Sequence, residues 1–462
     1  MKNLVGSQVH PIWQTLHWLF DPVSYLESNH DRYPDLFISR GTGFADTVIL
    51  VSHPQAMQQI LTNDRKQFSA PKDFNLLLIP VLGDRSLITI DGDRHKKRRQ
   101  LVMPPFHGDR VRTYGDSIVR ATEQVMDGLP KGRPFLARTA MQDISLQIIM
   151  ETVFGMSAGE RYQQLKQVLA AIADLFISSF STAFLFFPWL QRDLGGWSPW
   201  GKFIRLRQQI DALIYAEIAE RRRNLDSNRT DVLSLLISAR DENGEPMTDE
   251  ELHDELMTLL IAGHETTATA MAWLLYWAHR YPEVSTKLRQ ELASLGDRPE
   301  HVDISRLPYL TAVCQETLRV YPVAMLTFPR VVQEPVEMMG YQLEPGTVTM
   351  GCMYLTHQRE DLYPNHTQFR PERFLERQYS PYEFIPFGSG TRRCIGEALA
   401  MFEMKLVLAT VLSRYQLKLL DSHPEVPRRR GVTLAPARGV RMAMQGRREQ
   451  THASLEAIAS PT

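Results

Sequence analysis

A mainly α-helical chain with small β-sheets near both ends is the fold class the sequence predicts. Three observations carry that expectation. Apolar residues recur at three- and four-residue spacing through most of the chain. Strand-like runs bounded by turn residues occur only near the two ends. One helical pattern also crosses the middle without a break, from Thr248 to Arg280.

Taken in order, Asp35–Ser39 and Thr47–Ser52 read as strands joined by the glycine-containing turn "RGTGFAD". The segments "HPQAMQQILTN", "DRVRTYGDSIVRATEQVMDGL", "MQDISLQIIMETVFG", "ERYQQLKQVLAAIADLF" and "GKFIRLRQQIDALIYAEIAERRRN" then read as amphipathic helices. Strand signals return at Val331–Met339, Tyr341–Met350 and Gly431–Arg441. There is no internal repeat and no low-complexity tract.

The totals exclude several classes. Of 462 residues, 43% are hydrophobic and 23% charged, with a formal net charge of -1, an ordinary globular profile. Near-neutrality excludes the broad basic field of a nucleic-acid binder. Three cysteines, Cys314, Cys352 and Cys394, have no paired spacing. A disulfide framework is not expected, and a reducing, cytoplasmic compartment is. The opening "MKNLVGSQVHPIWQTLHWLFDPVSYL" has no apolar run near the roughly 18 residues of a spanning helix. Nor does it read as a signal peptide. Its aromatic and histidine residues Trp13, His17, Trp18 and Phe20 are expected to pack on their own domain, with peripheral contact at a membrane surface as the alternative.

The long helix begins with a capping box, Thr248 and Glu251, and ends before Tyr281-Pro282. It would span about 48 Å, the width of the molecule. Its middle reads "AGHETT", Ala262–Thr267. A mid-helix glycine costs about 1 kcal/mol against alanine. Such local misfits mark either a functional site or a packing glycine. In "LPYLTAVCQETLRVYP", Glu316 and Arg319 share one face among apolar neighbours, so a buried structural pair tied to a further charged group is expected.

In "FGSGTRRCIG", Cys394 follows Gly388 and Gly390, precedes Gly396, and leads into the amphipathic "IGEALAMFEMKLVLATVLSRY". A cysteine at a helix N-terminus, on a glycine platform open to close approach, suits a thiolate ligand to a large flat iron cofactor. Arg392 could pair with a carboxylate on that cofactor's rim. Zinc would call for a second cysteine or histidine cluster, and a nucleophile for a histidine base. An inert buried cysteine is the plain alternative, and the frame of glycines and arginine argues against it.

Phe387-x-x-Gly390-x-Arg392-x-Cys394-x-Gly396, Glu316-x-x-Arg319, "AGHETT" and "FRPERF" occur together in that family's order in the cytochrome P-450 family, which this chain resembles from about residue 10 to 445. The stretch "RRGVTLAPARGVRM" looks like bacterial, cyanobacterial members. The resemblance implies a triangular-prism fold with haem b between the long helix and the cysteine-bearing helix. It also implies one domain over residues 1–446, and the tail 447–462 reads as disordered.

Cys394 would be the thiolate ligand and metal site, with Phe387 and Gly388 beside it. Arg392, His95, Arg99 and Arg330 would hold the propionates, His95 standing where the family more often has tryptophan. Lys96, Lys97 and Arg98 read as a solvated face that could dock an acidic electron donor. Ala262 and Gly263 would leave room for O2, the co-substrate. Thr266 and Glu265 would deliver protons. Arg373 would join the structural Glu316–Arg319 pair.

The implied activity is a monooxygenase, and a monomer is expected. The haem fold leaves no room for a fused reductase, so electrons would come from a ferredoxin or flavodoxin. Pocket candidates are Phe74, Leu77, Phe176, Phe180, Leu259, Val323, Ala324, Leu326 and Leu434. Their apolar character points to a lipophilic substrate such as a fatty acid, terpenoid or polycyclic molecule, with Arg40 the one candidate anchor for a carboxylate. A peroxide-driven peroxygenase or isomerase would usually lack the acid–threonine pair. A haem sensor or lipid binder would call for an output domain.

Overall fold

A computed structural model describes residues 5–7, 9–42, 45–62, 66–71, 73, 78–175, 190–224, 226, 228–296 and 299–448. The central helix, Asp249–Arg280, carries the expected capping box. Thr248 Oγ1 accepts from the Glu251 N–H at 3.2 Å, and Glu251 Oε2 accepts from the Thr248 N–H at 3.1 Å. Pro282 opens the next helix, Pro282–Ala293, and ends this one. Around the central helix pack Ala137–Phe154, Pro199–Arg223, Pro308–Val320 and Glu397–Arg414, which share one apolar core with it. Ala137–Phe154 stops at Gly155, whose φ of +63° is the left-handed cap that glycine tolerates. The segment expected to form one helix after Asp109 breaks into Asp109–Arg112 and Gly115–Asp127. At Gly115 the backbone lies so close to the His301 ring that a Cβ would sit 2.4 Å from it.

The largest sheet runs Leu36–Ser39, Val48–Val51, Val348–Gly351, Arg330–Val332, Phe68–Ser69. Its first pair is antiparallel. Val48–Val51 then pairs in parallel with Val348–Gly351, Val48 opposite Val348. The late strand signals prove shorter and more numerous than expected. Val336–Met338 and Tyr341–Leu343 make one hairpin, Pro427–Arg430 and Thr433–Pro436 another, and Arg441–Arg447 pairs with Tyr415–Leu419. That last strand corrects the expected start of the tail: Arg447 is paired, and the Arg448 N–H donates to the Arg414 carbonyl at 2.8 Å. The rest of the expected tail, 449–462, lies outside the described residues.

The aromatic opening divides. In the helix Pro11–Phe20, Trp18 is buried while Trp13, His17 and Phe20 are exposed. No helix among the described residues is long and apolar enough to cross a membrane.

Candidate active site

The cysteine loop is shaped by its glycines. Gly388 and Gly390 have φ of +67° and +69°, and a Cβ on Gly388 would meet nothing within 4 Å. Gly396 contributes differently from the two glycines before the cysteine. Its φ is -88°, and what it gives is closeness, a Cβ there lying 3.9 Å from Cys394 Sγ. The Cys394 N–H donates to the Phe387 carbonyl at 3.0 Å and closes the loop. The helix begins three residues later, at Glu397.

Cys314 and Cys352 are buried, with thiol pKa values pushed up to about 12 by burial. Cys394 alone presents accessible surface, yet protein rings it closely. That enclosure raises its pKa, with Glu397 adding to the rise, against the pull of the Gly396 N–H, Arg99 and Arg393. A thiolate is therefore not the resting state these surroundings favour by themselves. A coordinated metal ion would impose it, since a coordinating thiol is deprotonated outright.

Cations gather on the elements next to this loop. Arg392 donates to the carbonyls of Leu87 (2.9 Å), Ile90 (2.7 Å) and Ala70 (3.3 Å). It thereby ties the cysteine loop to the strand Phe68–Ser69 and to the chain entering the helix Gly92–Val102. On that helix His95 is buried, and Arg99 donates to the Arg393 carbonyl at 2.7 Å. Arg330 is fully buried on the strand paired with Phe68–Ser69. It donates to the carbonyls of Phe328 (3.1 Å) and Pro329 (3.2 Å). An accessible thiol, an open glycine turn and basic groups on adjoining elements fit a flat iron cofactor with anionic edges. Arg98 contradicts its expected place on a solvated face. It is buried and pairs with Glu251 and with the fully buried Glu255, Nη1 to Oε1 3.2 Å.

The middle of the central helix is perturbed as its sequence suggests. Ala262 is exposed within a helix that is otherwise largely buried. Thr266 Oγ1 donates back to the Ala262 carbonyl, and Ser145 Oγ donates to the His264 carbonyl at 3.1 Å. A Cβ on Gly263 would sit 2.6 Å from Ile149 Cδ1, so its missing side chain serves the close approach of Ala137–Phe154. Glu265 turns to that same helix, paired with Arg138 and accepting from Gln142 Nε2 at 2.9 Å. Neither partner carries a local sequence signal.

Glu316 and Arg319 form a bidentate pair, Nε to Oε2 2.7 Å and Nη2 to Oε1 2.8 Å, and Arg373 Nε reaches Glu316 Oε1 at 3.1 Å. Of the pocket candidates, Phe74, Leu77, Phe176 and Phe180 lie outside the described residues. Leu259 is buried, while Val323, Ala324 and Leu326 are half-buried. Leu434 is a correction. It is fully buried with Trp18, Tyr25 and Met325, its carbonyl held by Trp273 Nε1 at 2.9 Å, and the accessible residue of that turn is Val432.

The family model for cytochrome P-450 matches residues 5–440. The chain is 36% identical over 445 residues to cytochrome P-450 135B1 of Mycobacterium bovis, covering 96% of this chain and 92% of that one. It is 34% identical over 385 residues to cytochrome P-450 137 of Mycobacterium tuberculosis, covering 82% and 78%. Among solved structures, the retinoic acid-bound cyanobacterial CYP120A1 shares the fold, with a TM-score of 0.81 at 23% identity over 94% of this chain and 96% of that one. Similarity along almost the whole chain agrees with a cysteine loop, a buried Glu–Arg network and a perturbed central helix in their expected order. The chain belongs to the cytochrome P-450 family and is a haem-thiolate monooxygenase, with haem b as cofactor and O2 as co-substrate.

Proposed function

We propose that the enzyme inserts one oxygen atom from O2 into a lipophilic substrate, a fatty acid, terpenoid or polycyclic molecule. It takes its two electrons from a separate ferredoxin or flavodoxin and works as a cytoplasmic monomer. The observation that supports the substrate class is the apolar character of the residues in the candidate pocket segments that keep accessible surface. Ala262 and Val432 are exposed, and Ile261, Val323, Ala324, Leu326 and Phe328 are half-buried, all without a charged group. Apolar walls hold a ligand by buried area and select weakly among polar groups.

In this reading Cys394 ligates the iron, while His95, Arg99, Arg330 and Arg392 meet the propionates. Haem held by a thiolate supplies an electron-rich iron that favours O–O cleavage. The chain's own part is to keep water scarce and to move protons. The Thr266 hydroxyl, now donating to the Ala262 carbonyl, can turn to hold a proton at Oγ1. Glu265, fastened to Arg138 and Gln142, brings protons from the outer side of the helix.

The test is a spin-state titration of the holoprotein against fatty acids, terpenes, polycyclics and a sugar control, followed by turnover with ferredoxin, ferredoxin reductase and NADPH. Lipophiles should shift the spin state at micromolar concentration and give singly oxygenated products. A shift produced only by the polar control, or none from any lipophile, would reject the substrate class.

A further inference from the structure

The helix Pro11–Phe20 buries Gln14, Trp18 and Leu19, and Gln14, the one polar residue of the three, is 2% exposed. Gln14 Nε2 donates to the Val9 carbonyl at 2.7 Å, and its Oε1 accepts from the Tyr25 hydroxyl at 3.2 Å and the Arg40 N–H at 3.1 Å. The chain at Gly41 passes so close that a Cβ would lie 2.6 Å from the Gln14 carbonyl carbon. Trp18 lies beneath the Arg429 guanidinium at 5.4 Å, and Arg429 Nη2 donates to the Leu19 carbonyl at 2.6 Å. These contacts fix the helix's rotation.

What faces outward is apolar. Trp13 is 63% and Phe20 65% exposed, and Val9, Ile12 and Leu16 are exposed with them at helical spacing. A helix bordering water normally turns its polar residues outward. Among "PIWQTLHWLF" there is no Asp, Glu, Lys or Arg.

One occupant fits this face. Four part-exposed side chains on a ten-residue helix, with Val9 just before it, offer less than the about 800 Å² per partner that a stable protein interface takes. A bilayer imposes no such minimum, and Trp and Phe are favoured where headgroups meet acyl chains. The charge beside the stripe also matches. Arg40, tethered to the helix through Gln14, is exposed, as are His10 and His17. The acidic Asp21 at the helix end is engaged in capping the next helix, its Oδ1 accepting from the Ser24 N–H at 3.2 Å. We propose that Pro11–Phe20 docks the folded enzyme onto an anionic lipid bilayer, with Trp13 and Phe20 inserted at the headgroup boundary and Arg40 facing lipid phosphates. This docking is independent of which lipophile the enzyme oxidises.

The test is co-sedimentation of the holoprotein with vesicles of phosphatidylcholine alone and of three parts phosphatidylcholine to one part phosphatidylglycerol. The wild type should sediment with the anionic vesicles and less with the neutral ones. The double variant Trp13→Gln/Phe20→Gln should lower partitioning at least about tenfold with haem loading unchanged. Arg40→Glu should weaken binding to the anionic vesicles only. Wild-type protein that stays in the supernatant with both vesicles, or a double variant that sediments equally, overturns the proposal. So does a concentration-dependent dimer, seen by ultracentrifugation and abolished in the double variant, in the absence of vesicle binding.

Discussion

Two helix-borne carboxylates, Glu316 and Glu265, each meet an arginine, and they are held in opposite ways. The Glu316 and Arg319 side chains are 0% exposed. Glu316 Oε1 takes three hydrogen bonds, from Arg319, Arg373 and the Arg370 N–H, and Oε2 a fourth from Arg319. Arg319 spends further N–H groups on the carbonyls of His357 and His366, both at 2.9 Å. Such a cluster offsets the cost of burying charge only because its partners are nearly all supplied. The Glu265 side chain is 26% exposed and has one arginine and one amide. A carboxylate that water reaches can exchange partners at little cost, whereas one that water does not reach cannot. The fold thus fixes one acid among buried arginines and leaves the other within reach of water.

The sharpest break of this contrast would come from Glu316→Ala. It strands two buried arginines and should cost about 3–5 kcal/mol, a large part of a typical domain's stability. Little haem-loaded protein should be recovered, and near-normal loading and denaturation would dismiss its structural role. Glu265→Gln should do the reverse. Stability should stay within about 1 kcal/mol of wild type, while coupled product formation falls about a hundredfold or more. Full coupling of reductant to product in that variant would remove Glu265 from proton delivery.

Gly263→Ala probes the helix that carries Glu265. Its Cβ would press on Ile149 and cost about 1–3 kcal/mol by thermal unfolding. Adding Ile149→Val should recover part of that loss, and no recovery would mean the contact is not its source.

A third carboxylate extends the series, since Glu403 is buried with no arginine at all among its hydrogen-bond partners and its Oε2 has no partner. Burial alone pushes its pKa up to about 8. The folded state therefore holds this proton more tightly than the unfolded chain, whose glutamate pKa is about 4.3. Its contribution to stability is full below that value and is lost as pH rises through about 8. Denaturant midpoints measured from pH 6 to 9 should fall less steeply for Glu403→Gln than for wild type, and parallel slopes would count against a protonated Glu403.

What could be read from the sequence follows the reach of each interaction. The capping box of Thr248 and Glu251 and the pair Glu316–Arg319 lie within one helical turn, so spacing alone reveals them. The cysteine loop is legible because left-handed backbone demands glycine at 388 and 390. The contact of Gly263 with Ile149 is not legible, because Ile149 sits on another helix. Glu265 was recognised by its motif, but Arg138, 127 residues earlier, was not, since nothing local marks a cross-helix partner. Arg98 was lost in a run of like charges, of which helical rotation turns one member inward to Glu255. The burial of Leu434 is not legible because the hairpin's register, with Leu434 opposite Arg429, decides which residues face in.

The parallel pairing of Val48–Val51 with Val348–Gly351 has a consequence for biogenesis. Strands that meet across some three hundred positions cannot join until the later one has been translated. At about 5–20 residues per second, that is a wait of about 15 to 60 s. During it the hairpin made first keeps a raw flank of unpaired amides and carbonyls. A nascent polypeptide stalled short of residue 351 would carry that flank indefinitely, as a template on which another copy could pair and aggregate.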